Sequence, residues 1–532
     1  MLADMEKAKK TTLTYVVIAG IMTAALFVWS FLLCSADCTA YDDSYQYFLN
    51  LHSWSEMFEL IKLDYSPPLY SIVLKLYSEV FGTSLASLRI CSVLLLSTLF
   101  GLALFPLRRL MGRKCALLAA FLFFASGYNY FFGVTTRPTV MAYVLTTGMF
   151  IYSMLAFFGD KKSDMVKFTV LSLLCMYTHN VSLIAAFCIY GTSVIASLIL
   201  KKKDICVKFL ISGVIVSILY IPWLIVLLGQ TGNAIDHFWS NSGTWLYAIF
   251  IVFVGMVMNY SNLSFTIPSV IFIAFLPLIN YFLLMEKGRF KEAHKLSELV
   301  SIKQMKEGWT NLSKLLYLAI TLGLSVTGFF LVTRFVLPIF ANRYFYILSG
   351  AGIIFVSCLA TLCKGKKAPA LILAVLMTVT FFMNAFSELN IVRNSKRDEL
   401  IKDVSAMAGD QPVFIDFHEH SLGVAGYYFP DSKHFVTQDT FMVLQSYEVF
   451  DLDYTCLGKA DEIWDYTDTC YIFSSFDFES GNIDPIEYYL YYFDDKESVR
   501  IEYMGDYPLP YTNEIGYGIY RVEIYKVSHI PS

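Results

Sequence analysis

Apolar runs at or near the roughly 17 to 25 residues that cross a bilayer recur from Thr11 to Ser387. They predict about eleven transmembrane helices, at 13–34, 88–107, 115–133, 138–158, 167–181, 182–200, 209–229, 264–285, 315–333, 343–363 and 368–388. Two further apolar stretches, Pro67 to Gly82 and Trp245 to Tyr260, break the alternation if counted as spans, because either would put a basic loop on the opposite face. They read as interfacial or re-entrant helices, whose polar edges are tolerable along the membrane plane or in a cavity wall. Beyond Glu388 the pattern changes to short β-rich runs at 413–417, 470–475 and 517–525, separated by helix-like and turn-rich stretches. That predicts a small α/β domain. The expected organisation is thus a membrane domain over 1–388 and a C-terminal domain over 389–532, the latter large enough to bury its own core.

Charge orients these elements. The first 388 residues hold 30 Lys/Arg against 18 Asp/Glu, whereas residues 389–532 hold 10 against 26. The basic excess sits in short loops: Lys7/Lys9/Lys10, Arg108/Arg109/Arg113/Lys114, Lys161/Lys162/Lys167, Lys201/Lys202/Lys203/Lys208, the stretch Glu286 to Lys314, and Lys364/Lys366/Lys367. All of them fall on one face of an eleven-span chain, so the N-terminus is expected in the cytoplasm and the C-terminal domain outside. Only 16% of residues are charged and 56% are hydrophobic, which excludes a soluble or disordered chain. No basic stripe interleaved with aromatics suggests nucleic-acid binding. Most of the eleven cysteines lie within apolar segments and read as small buried hydrophobes; Cys34/Cys38 and Cys456/Cys470 are the pairs open to disulfide formation on an oxidising side.

Candidate chemistry gathers on the inferred outer face. The first outer loop, Ser35 to Asp64, is acidic, and Asp42 with Asp43 is its sharpest pair: adjacent carboxylates just after the first span suit a general base beside an orienting or metal-binding partner. The plainer reading of such a pair is a helix cap with solvated charges. Asp64 to Tyr70 follows, with Pro67-Pro68 fixing a helix entry, and then Arg89. Few cations of the membrane region face outward, and Arg89, Arg137 and Arg343 are therefore candidates to meet an anion such as a lipid phosphate rather than simply to snorkel. His179 occupies an outer turn, where a hydrogen-bonded turn residue competes with a proton-transfer or substrate contact. Tyr344 follows Arg343, so that pair reads either as an interface anchor or as a site for phosphate beside a lipid tail.

Taken in order, the acidic pair after the first span, the Pro67–Tyr70 segment with Phe81-Gly82 and Arg89 after it, the Thr178-His179 turn, Arg343-Tyr344 and the C-terminal domain resemble the GT-C superfamily of membrane glycosyltransferases. The branch most similar is that of the bacterial protein-mannosyltransferase-like and aminoarabinose-transferase-like enzymes. The resemblance implies an inverting hexosyl or pentosyl transfer from a polyprenyl-phosphate-linked sugar donor to a cell-envelope glycan, lipid or protein acceptor on the outer face. It makes Asp42 the catalytic base, with Asp43 where the family more often has Glu. It places Arg343, with Tyr344, near the donor phosphate, and Arg137, Arg89 and His179 as further substrate contacts. Some members of the superfamily bind a divalent cation and others do not, and no set of three ligands stands out in this chain. The competing reading is a transporter or flippase of envelope precursors. It expects ionisable residues near the midplane of the spans and often two similar halves, whereas here the candidate charges lie at the outer mouths and no repeat is visible.

Overall fold

A computed structural model describes residues 2–34, 39, 41–63, 66–127, 135–237, 244–254, 263–286, 311–336, 342–362, 367–409, 411–417, 419–437, 448–474, 483–509 and 521–530. The chain divides into two compact units. One comprises residues 1–31, 65–73 and 90–385; the other comprises residues 32–64, 74–89 and 386–532.

In chain order the helices of the membrane region are α1 (Leu2–Cys34), α2 (Tyr41–Leu51), α3 (Trp54–Leu63), α4 (Leu69–Phe81), α5 (Leu85–Leu102), α6 (Arg113–Ala125), α7 (Pro138–Phe158), α8 (Lys162–Met176), α9 (Asn180–Ile199), α10 (Lys203–His237), α11 (Trp245–Val254), α12 (Leu263–Glu286), α13 (Asn311–Phe335), α14 (Asn342–Thr361) and α15 (Ala368–Arg393). Among the described residues, eight segments are long and apolar enough to cross a membrane, and the protein is a multi-pass membrane protein. They are Thr11–Leu32, Leu85–Met111, Pro138–Phe158, Asn180–Ile199, Lys203–Gln230, Asn311–Phe335, Tyr344–Thr361 and Ala368–Ser387. The other three expected spans are also helical but shorter or only partly described. The helix α6 has 13 residues and α8 has 15, while the described apolar part of α12 is Ile267–Ile279. The two stretches expected not to span become α4 and α11, of 13 and 10 residues.

Within the first unit, α7 is the central helix. Proline at its first position suits a start where the missing N–H costs nothing, and the preceding Arg137 is extended, as a residue before proline must be. Its sides pack on α8 and α14. The approach of α14 is close: a Cβ on Gly350 would overlap Thr147 Oγ1. Beyond Leu102, α5 absorbs Pro106 in a π-helical turn, Ala103–Leu107, and ends at Gly112, whose φ of +92° turns the chain into α6.

The second unit holds α2, α3 and the C-terminal α/β domain: α16 (Arg397–Ala408), β1 (Val413–Asp416), α17 (Glu419–Tyr428), β2 (Lys433–Thr437), β3 (Tyr454–Leu457), β4 (Thr469–Ser474), α18 (Pro485–Leu490), β5 (Val499–Pro508) and β6 (Arg521–His529). The sheet order is β3-β2-β1-β4-β6-β5. The first four strands are mutually parallel, β6 is antiparallel to β4, and β5 is antiparallel to β6. Alternation along the strands gives each face its own core. Phe414, Phe473, Val522 and Ile524 pack under Leu400 and Val404 of α16 and Val424 and Ala425 of α17. Ile415, Phe435, Ile472 and Val527 pack on the other face with Ile463, Tyr489 and Phe493. Both faces are covered, which is what parallel strands require. Two of the expected strands become β1 and β4, and the third becomes β6, with 517–520 outside the described residues. The short strands β2 and β3 and the charge-interrupted β5 carry too weak an alternation to be seen in the sequence. Cys456, exposed on β3, and Cys470, buried on β4, are free thiols on strands that are not neighbours, so this pair, left open by the sequence, is not a disulfide. Cys38 lies outside the described residues.

Candidate active site

The acidic pair opens α2, where two carboxylates in the first turn face the positive end of the helix dipole. Successive helical residues point about 100° apart, and the two side chains have different fates. Asp43 is fully buried, with Oδ2 accepting a hydrogen bond from Arg89 Nη2 at 2.8 Å, and Arg89 is itself only 1% exposed. Asp42 is half-buried and stays accessible. The anion that Arg89 meets is therefore a carboxylate of its own chain. Asp43 is thus the ion-pair partner of Arg89.

The rest of α2 is fixed within the same unit. Lys75 Nζ donates to the carbonyls of Asn50 (2.7 Å) and His52 (2.8 Å), a cation at the C-terminal end where helix carbonyls lack partners. His52 Nε2 donates to Val449 O at 2.7 Å. Tyr45 and Phe48 set their rings edge-on to Phe450, and Tyr47 does the same to Tyr427 of α17. Just ahead of the acidic pair, the buried Thr39 N donates to Tyr428 Oη at 3.0 Å. The next helix begins with a capping box: Ser53 N donates to Glu56 Oε2 at 3.0 Å and Glu56 N to Ser53 Oγ at 3.4 Å. The Ser53 hydroxyl and then its backbone N–H, both donating to the carboxylate, hold the Glu56 carboxyl below its ordinary value.

The first unit gathers a second set of the expected residues. His179 caps α9, its Nδ1 accepting from Val181 N at 3.2 Å, and its ring lies 5.2 Å from that of Tyr344. The Pro67–Tyr70 segment joins the same turn through Leu69 N, which donates to Tyr177 O at 3.0 Å; Pro67, Pro68 and Tyr70 are buried. Arg137 is buried at the start of α7. Three residues of Phe345-Tyr346-Ile347 follow Tyr344 into the core, and Tyr346 stacks on Tyr143 at 4.3 Å. Arg343 is in the first turn of α14, and its side chain lies outside the described residues, as do those of Asp236 and His237, a sequence pair expected in a loop that instead ends α10. The stacked Tyr143 was not singled out in the sequence, where it is one of 36 tyrosines.

A third cluster has the order of a hydrolase triad. Ser432 Oγ lies 2.8 Å from His434 Nε2, and His434 Nδ1 lies 2.7 Å from Asp416 Oδ2. All three are at most 2% exposed, and the serine hydroxyl donates to Phe429 O, so no substrate reaches it; the cluster ties β1 to β2. Among the described residues no three His, Cys, Asp or Glu side chains converge as metal ligands, and no step is assigned to a metal.

This arrangement of a polytopic helical domain with a C-terminal α/β domain has solved counterparts. ArnT from Cupriavidus metallidurans is similar over its whole length in two states. The apo form matches with a TM-score of 0.60 at 11% identity, covering 98% of each chain. The form bound to undecaprenyl phosphate matches at 0.57 and 11%, covering 97% of each. The oligosaccharyltransferase of Archaeoglobus fulgidus is more distant, with a TM-score of 0.46 at 12% identity over 79% of this chain and 64% of that one. No family model matches the sequence, and no curated protein matches it. The likeness to ArnT shows the fold alone.

Proposed function

We propose that this protein is an inverting glycosyltransferase that moves a sugar from a polyprenyl-phosphate donor to a cell-envelope acceptor on the outer face of the membrane. The observation that carries the reading is the half-buried Asp42 beside the buried Asp43–Arg89 pair, at the start of a helix that follows the first span, in a fold like that of ArnT, whose structure contains undecaprenyl phosphate.

In this mechanism Asp42 accepts the proton of the acceptor hydroxyl. The freed oxygen attacks the anomeric carbon from the side opposite the phosphate, the anomeric C–O bond breaks, and the electron pair leaves with polyprenyl phosphate. One displacement inverts the centre and needs one catalytic carboxylate, because no glycosyl-enzyme forms. Asp43, hydrogen-bonded to Arg89, holds the rotation of α2. Arg343 and Arg137 supply positive charge for the departing phosphate, and His179 and Tyr344 line the substrate. The N-terminus is cytoplasmic and the C-terminal domain extracytoplasmic in this reading. Cys456, an exposed thiol on β3, is a native reporter of that side for a membrane-impermeant maleimide, with Cys456→Ser as the blank.

The test is turnover. Purified protein in lipid, offered a panel of polyprenyl-phosphate sugars and envelope acceptors, is expected to release polyprenyl phosphate with at least one pair, and Asp42→Asn is expected to stop it. No release from any donor, with the protein folded, would overturn the reading.

A further inference from the structure

We infer that α17 of the C-terminal domain is the positioning wall of the catalytic helix, with Gly423 and Tyr428 as positioning residues for Asp42. This inference rests on the glycosyltransferase reading and extends it to a domain to which that reading gives no part.

Three observations within the second unit converge on α2. A Cβ on Gly423 would meet Phe450 Cζ at 2.5 Å and Ser44 Oγ at 2.6 Å, so α17 lies against α2 so closely that an added Cβ must displace one or both side chains. Ser44 is fully buried and adjoins Asp43, two residues from the proposed base. Phe450 is the ring on which both Tyr45 and Phe48 of α2 rest, so an atom added at Gly423 presses on α2 directly and through that ring. The N-terminal approach is held from the same helix by the bond from Thr39 N to Tyr428 Oη. Rotation of α2 is set by Asp43–Arg89, whereas its distance from the domain is set at Gly423. Misplacing a reacting group by about 1 Å can cost on the order of a hundredfold in rate.

A neighbouring glycine supplies the control. Gly426 is as crowded as Gly423, its Cβ overlapping Leu452 Cδ1, but the crowding falls on Leu452 and not on Ser44 or Phe450. Gly423→Ala and Gly426→Ala therefore insert the same methyl into the same helix, and only the first bears on α2.

Full-length protein in lipid is assayed for release of polyprenyl phosphate and, separately, for amide hydrogen exchange in α2. Gly423→Ala is expected to lower kcat about tenfold or more with the donor KM within about twofold, and to raise exchange in residues 41–51. Tyr428→Phe is expected to do so more weakly. Gly426→Ala is expected to leave both at the parent's values, and Phe450→Leu on the Gly423→Ala background, which removes the crowded ring edge, is expected to recover turnover. Equal losses in the two alanine variants, tracking their unfolding temperatures, would make α17 merely structural and overturn the inference. So would α2 exchange unchanged in Gly423→Ala, a result that decides the matter even if the parent transfers no sugar. Absence of transfer by the parent alone overturns the glycosyltransferase reading instead.

Discussion

Asp43 Oδ2 and Arg89 Nη2 lie 2.8 Å apart with both side chains removed from solvent, although 46 residues separate them in sequence. This pair distinguishes two adjacent carboxylates that the sequence presents as equals. A buried ion pair adds little over a well-packed apolar pair, but breaking it leaves a charge without compensation, at about 3–5 kcal/mol.

Arg89→Met is accordingly expected to destabilise the protein by about that amount. The double variant Arg89→Met/Asp43→Asn is expected to be more stable than Arg89→Met alone, because it removes the stranded charge. Thermal unfolding of the variants in one detergent or lipid checks this. A double variant as unstable as the sum of the singles would show that the two side chains act independently.

Ser432, His434 and Asp416 look catalytic in outline and are structural by burial. Ser432→Ala should leave sugar transfer unchanged while costing about 1–3 kcal/mol, the usual penalty when a buried hydrogen-bonding group loses its partner. Turnover lost at unchanged stability would mean that the cluster takes part in chemistry.

The capping box of α3 gives a pH dependence. Ser53 hydroxyl and backbone donate to the Glu56 carboxylate and lower its pKa from 4.5 in the folded protein. A lowered folded value means that the ionised group stabilises the fold, a contribution present above 4.5 and lost as pH falls through the lower folded value. Stability curves of the parent and Glu56→Gln should therefore differ near neutrality and converge in acid. Curves that converge at neutral pH and part in acid would reverse the sign.

Arg343 is in the first turn of α14, directly before Tyr344, whose ring neighbours that of His179. If the donor phosphate is held there, Arg343→Ala should raise the donor KM about ten- to a hundredfold, the worth of a charge-assisted contact of about 1.5–3 kcal/mol, with a surface change such as Lys402→Ala as reference. Donor titrations superimposable on the parent's would make Arg343 an interface anchor.

The apolar periods carry the fold well because length and hydrophobicity are the physical conditions for crossing a bilayer, and every expected span from α1 to α15 is helical. They overstate the length of α6 and α8, where local composition does not show that a helix stops after 13 or 15 residues. The acidic pair and the His179 turn were legible for a similar reason: charge is costly at a membrane mouth and stands out. The partner of Asp43 was not, since adjacent residues carry no sign of which faces inward until Arg89 is brought to one of them. Nor were Gly423 and the bond of Tyr428 to Thr39, which lie in an approach between segments some 380 residues apart that no local pattern encodes.

The central claim is that Asp42 is the base and Asp43 its buried support. The most direct measurement is turnover and unfolding temperature of Asp42→Asn and Asp43→Asn side by side, in lipid, with the donor the parent uses. Asp42→Asn is expected to lose about 10² to 10⁴ in rate, the usual worth of a general base, at the parent's unfolding temperature, and Asp43→Asn to unfold at a lower temperature. Parental turnover in Asp42→Asn would contradict it.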